Sequence, residues 1–178
     1  MIKRFALCLI VIFVFSGCVS IENSGGSGKE SAEISTGGSF SLSLDTVDGG
    51  HFDFENIKGE KHLLVAFWAT WCEPCKTELR KLSEMYPDYL EKVEFVAVST
   101  DTEESLDRVD AFVIENSIPF PVLIDPSGNT VSTIIPGGET VPYTMLISKD
   151  GEIISRHTGY KPGEEEVLKR EIEVLLEK

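Results

Sequence analysis

Leu64-Val65-Ala66-Phe67-Trp68-Ala69-Thr70-Trp71-Cys72-Glu73-Pro74-Cys75-Lys76 reads as a buried strand running into a two-cysteine turn that opens a helix. Cysteines at i and i+3 around a helix start place one sulfur at the exposed N-terminal end and the other within the first turn, within reach of a disulfide. Backbone N–H groups aligned at that end favour an anion. Cys72 is therefore expected to titrate below an ordinary cysteine and to act as the attacking thiol near neutral pH. The competing reading, half of a zinc site, needs four ligands, and the chain offers no second cysteine pair and only three scattered histidines.

Taken together, Trp68 to Lys76 and the following Thr77-Glu78 resemble the active-site segment of the thioredoxin superfamily, and most of all its TlpA/ResA branch. The resemblance runs from about Phe40 to Lys178. It implies an α/β, thioredoxin-like fold: a central mixed β-sheet flanked by helices, with an N-terminal β-hairpin and a β/α insertion before a cis-proline strand. Val141-Pro142-Tyr143-Thr144 stands where that family carries its cis-proline, which makes Pro142 the candidate and gives the Val141 backbone to an extended substrate beside Cys72. The family's tryptophan pair falls on Trp68, expected in the core, and Trp71, expected beside the sulfurs as a shield. Glu73 and Pro74, between the cysteines, resemble reductive members, including those that reduce apocytochrome c before haem attachment. With Trp71, Val141 and Pro142 they make up the expected substrate surface.

Glu78 lies three residues after Cys75, on the same helix face and next to Leu82 in the apolar stripe, so its carboxylate should be partly buried. Burial and a neighbouring thiolate both raise a carboxyl pKa toward the range where it exchanges protons with Cys75. Thioredoxin has a buried aspartate on the strand before its active site, where this chain has Ala66, so the resemblance moves the proton-handling acid to Glu78. The plainer alternative is a first-turn glutamate that complements the helix dipole.

Lys3-Arg4 precede an unbroken apolar run from Phe5 to Phe15, too short to span a bilayer, as in a signal peptide covering residues 1–17. Ser16-Gly17-Cys18 closes it and resembles the lipobox of bacterial lipoproteins, which implies a lipidated Cys18 at the new N-terminus. Ordinary cleavage near Gly17 is the alternative. Residues 18–39, with Asn23-Ser24-Gly25-Gly26-Ser27-Gly28, have the composition of a flexible tether, and 40–178 that of one globular domain. With Cys8 removed and Cys18 blocked, Cys72 and Cys75 are the only thiols left. A net charge of -14 disfavours nucleic acid and anionic lipid as partners.

Along the domain, Phe40, Leu42 and Leu44 alternate, break at Asp48-Gly49-Gly50 and resume at Phe52 and Phe54, a hairpin. A helix carrying Leu79, Leu82, Met85 and Tyr86 should end or kink at Pro87. Strands are expected at 93–98, 121–125 and 140–147. Asp101, with Glu104 three residues on, reads as the cap of a helix over about 103–116, the insertion that separates Cys75 from Pro142. Lys149-Asp150-Gly151-Glu152 turns the chain into Ile153-Ile154, and a last helix starts near Gly163.

The sequence thus points to a lipid-anchored thiol-disulfide oxidoreductase on the extracytoplasmic side of a bacterial membrane, periplasmic or on the outer cell face. It needs no metal or cofactor beyond the Cys72–Cys75 disulfide. Its partners are a protein disulfide substrate such as apocytochrome c and a membrane redox protein that recycles the pair. Disulfide oxidase or isomerase activity is one alternative. A copper-delivering thioredoxin fold using both cysteines and His157 is another, although that family spaces its cysteines by three residues.

Overall fold

The computed structural model describes residues 40–178 except positions 136, 138 and 139. Five strands form the main sheet in the order β5-β4-β3-β6-β7, with β3 (His62–Trp68) in the middle. It runs parallel to β4 (Val93–Ser99) and antiparallel to β6 (Tyr143–Ile147), which makes the sheet mixed as expected. β5 (Val122–Ile124) lies parallel beyond β4, and β7 (Ile153–Thr158) antiparallel beyond β6.

The unbroken apolar run of β3 follows from cover on both faces. Leu64, Ala66 and Trp68 point into a cluster with Leu79 and Leu82 of α1 (Glu73–Tyr89), Val109 and Phe112 of α2 (Leu106–Asn116), and Leu168 and Ile172 of α4 (Glu165–Leu176). Leu63, Val65 and Phe67 point the other way, against Phe40, Leu42, Phe52 and Phe54 of the N-terminal segment and Val131 of α3 (Asn129–Ile134). The N-terminal hairpin forms as read, β1 (Ser43–Asp45) against β2 (His51–Asp53). It also protects the sheet edge: Thr46 bridges Leu123, and the Val47 N–H donates to the Val122 carbonyl at 2.9 Å. At the other end of the sheet, the Phe40 N–H donates to the Gly151 carbonyl in the turn between β6 and β7.

Three local expectations change. Pro87 does not end α1, because it lies in the last turn and removes a single backbone bond; the Leu90 N–H still reaches the Tyr86 carbonyl at 3.0 Å. Asp101 does not cap α2. A 3-10 turn over Glu103–Ser105 intervenes, and neither its start nor that of α2 has a side-chain cap. Finally, α3 fills a stretch after the Asp125–Gly128 turn that the sequence leaves as loop.

Candidate active site

At the end of β3, Ala69-Thr70-Trp71 turn the chain back, with the Cys72 N–H on the Ala69 carbonyl at 3.1 Å. Cys72 then takes the extended backbone of an N-cap, and its sulfur accepts from the Cys75 N–H at 3.3 Å. The two cysteines are joined in a disulfide, with Cα atoms 5.3 Å apart. They are not equivalent: Cys72 keeps 6% of its surface exposed and Cys75 none. Pro74 stands in the first turn, where no intrahelical N–H is missed. Glu73 is exposed beside it and pairs with Lys76 at 2.6 Å; that ammonium holds its carboxyl below the usual range.

Asp101 is the residue whose role the sequence misassigned. It is buried at the end of β4, and its carboxylate accepts from the Thr70 N–H at 2.8 Å, the Thr70 hydroxyl at 2.6 Å and the Ser99 hydroxyl at 2.9 Å. The turn leading into Cys72 is thereby fastened to the neighbouring strand. The available signal was Ser99-Thr100-Asp101 itself, three polar residues at the C-terminal end of a buried parallel strand, where sites gather in α/β sheets. Asp101→Ala is expected to strand three donors and lower the unfolding free energy by about 3 kcal/mol. A fall in the urea midpoint at unchanged slope would record it; an unmoved midpoint would show that the clamp carries no stability.

Glu78 is 3% exposed. Its Oε1 accepts from the Thr144 hydroxyl at 2.8 Å, and Thr144 is the β6 partner of Ala66, so the carboxylate lies over the rung that joins the two central strands. Burial pushes its pKa up to about 7; the Thr144 hydroxyl pulls the other way, and the Glu164 carboxylate adds to the rise. Two residues before Thr144, the Val141-Pro142 bond is cis. Val141 packs against both apolar clusters, one of which contains Cys72 and Cys75.

The two tryptophans take different environments. Trp68 takes the core position, its ring 4.9 Å from that of Phe112, while Trp71 stands out from the clamped turn with 68% of its surface exposed. His157 is bound to Glu171 at 2.9 Å, and among the described residues no group of three or more His, Cys, Asp or Glu is gathered for a metal. Cys18, with the signal peptide and tether expected over residues 1–39, lies outside the described residues.

Residues 38–156 match the AhpC/TSA family. The thiol-disulfide oxidoreductase ResA of Bacillus cereus is 34% identical over 175 residues, covering 94% of this chain and 96% of the relative. Among solved structures, a thiol:disulfide interchange protein of the thioredoxin family from Chlorobium tepidum TLS superposes with a TM-score of 0.65 at 27% identity, over 76% of this chain and 93% of that one. StoA from Bacillus subtilis gives 0.60 at 26% identity, over 75% and 96%. The family match takes in both cysteines, Glu78 and the Val141-Pro142 bond, so the chain belongs to the AhpC/TSA family, as a TlpA/ResA-like thiol-disulfide oxidoreductase of the thioredoxin superfamily.

Proposed function

We propose that this oxidoreductase reduces protein disulfides outside the cytoplasm while tethered to the membrane through a lipid on Cys18. The observation that carries the reading is the unequal exposure of the two cysteines at the start of a helix that also carries a buried Glu78, whose pKa is raised to about 7. Cys72 thiolate attacks one sulfur of the substrate disulfide and forms a mixed disulfide, and the first substrate thiolate leaves. Cys75 passes its proton toward Glu78, attacks the Cys72 sulfur and expels the second substrate thiolate. Two electrons have moved to the substrate, and the Cys72–Cys75 disulfide remains for a membrane redox partner to reduce. The Val141 backbone beside the cis Pro142, together with exposed Trp71, Glu73 and Pro74, forms the surface on which the substrate lies.

Support for the reductive direction comes from Glu73-Pro74 between the cysteines, which resembles reductive members, including those that act on apocytochrome c. Support for the tether comes from the apolar run ending in Ser16-Gly17-Cys18. Equilibration with a glutathione or dithiothreitol couple tests the direction. The expected potential lies near that of thioredoxin, about -270 mV, and a value near about -120 mV, that of a strong oxidant, would overturn it. Intact mass of membrane-extracted protein tests the tether: a diacylglyceryl group on Cys18 is expected, and an unmodified mature chain would remove it from the proposal.

A further inference from the structure

Between the turn that precedes Cys72, with the start of α1, and the face of α2 from Arg108 to Glu115 lies a hollow of about 290 Å³ lined by Thr70, Trp71, Lys76, Arg108, Phe112 and Glu115 among others. It lies on the β4 side of the cysteines, whereas Val141 and Pro142 lie on the β6 side. We propose that this hollow is a second docking site for the substrate protein, seating an apolar side chain against Trp71 and Phe112 and a carboxylate on Arg108. The inference rests on the proposed action on protein disulfides and adds the chemistry of the sequence next to the substrate cysteine.

Trp71 is the largest exposed apolar side chain among the described residues, and it immediately precedes the attacking cysteine. An exposed tryptophan at the mouth of a pocket is the type of residue that anchors interfaces. The floor is rigid: the Phe112 ring packs on Trp68, and the Arg80 guanidinium lies 5.6 Å from its centre while donating to Asn116 at 2.9 Å. The charges around the hollow are not equally available. Lys76 is already paired with Glu73, whereas Arg108 makes no ion pair among the described residues. Arg108 sits in the first turn of α2, at the sheet end that carries Cys72. Glu115 lies two helical turns further along, about 10 Å away, so the hollow is basic at the disulfide end and acidic at the other. In a chain of net charge -14, an available arginine at this place selects for an acidic group close to the substrate disulfide.

The test uses peptides with one internal disulfide, a leucine next to a cysteine and either glutamate or lysine beyond it. They react in single turnover with the pre-reduced protein, so that no outside reductant takes part. Rates are taken relative to hydroxyethyl disulfide, which is too small to reach the hollow. The glutamate peptide is expected to react about three- to five-fold faster than the lysine peptide, the size of one exposed ion pair, and the preference should shrink in high salt. Arg108→Glu should reverse the order. Equal rates in the wild-type protein, or an order that Arg108→Glu leaves untouched, would overturn the proposal. Should hydroxyethyl disulfide itself not be reduced, the function above fails and docking is read separately. Peptides with serine for cysteine are then titrated into the oxidised protein and followed by tryptophan emission, where equal binding of the two would overturn the docking site.

Discussion

Cys75→Ser protein is expected to lose turnover by a factor on the order of a thousand or more and to accumulate as a mixed disulfide between Cys72 and its substrate. The first step needs only the outer thiol. Cys72 is the thiol proposed for it, because it caps α1 with part of its surface exposed, while Cys75 is sealed within the first turn. Without the inner thiol nothing resolves the mixed disulfide, and it persists until another thiol arrives. Cys72→Ser should be equally inactive but silent: Cys75 has no exposed surface for an alkylating agent or a substrate to approach. Mass spectrometry of the trapped species and the alkylation rates of the two single variants would check this. Equal alkylation of both at pH about 7 would show that the sulfurs are interchangeable and that burial does not set their roles.

Glu78→Gln is expected to slow disulfide exchange about ten-fold or more while making the protein more stable at alkaline pH. The two effects have one cause. Below its ordinary value of 4.5 Glu78 is protonated whether the chain is folded or not; between 4.5 and about 7 the unfolded chain gives up its proton while the folded one keeps it. Folding stability therefore falls as pH rises through that window, and above it the ionised, buried carboxylate costs about 3 kcal/mol. Glutamine retains an acceptor for the Thr144 hydroxyl and has no charge to bury. The variant should match the wild type in urea near pH 4 and exceed it near pH 8. Equal loss of stability at both pH values would mean that the carboxylate is structural. Wild-type exchange rates from about pH 5 to 9 would mean that the proton travels by another route.

Glu78 was legible in the sequence because helical spacing alone places it with Cys75 and Leu82; its partner Thr144, 66 residues further along, was not, since that contact depends on the β3–β6 register. The hairpin, the central strand and the mixed sheet were also legible, because each follows from a local alternation or an apolar run. Asp101 was misread for a physical reason. An aspartate followed three residues later by glutamate looks like a cap in one dimension, but the carboxylate found stronger donors on Thr70, 31 residues earlier, and left the helix to start five residues later. The short α3 carries β-branched Thr130, Val131 and Thr133 and has no helical signal apart from its tertiary contacts. Arg108 was likewise unremarked, because nothing near it in sequence shows that Trp71 and Lys76 lie across from it.

The hydrogen bond from Phe40 to Gly151 gives the domain a foot and a head. Leu63 pairs with Ile147 near the foot, and Phe67 with Tyr143 near the head, four residues and about 14 Å along the same pair of strands. Phe40 is therefore fixed at the end of the domain opposite its sulfurs, and the length of the central strand pair separates the two. A disulfide partner that engages Cys72 at the head need not displace the Phe40 contact at the foot.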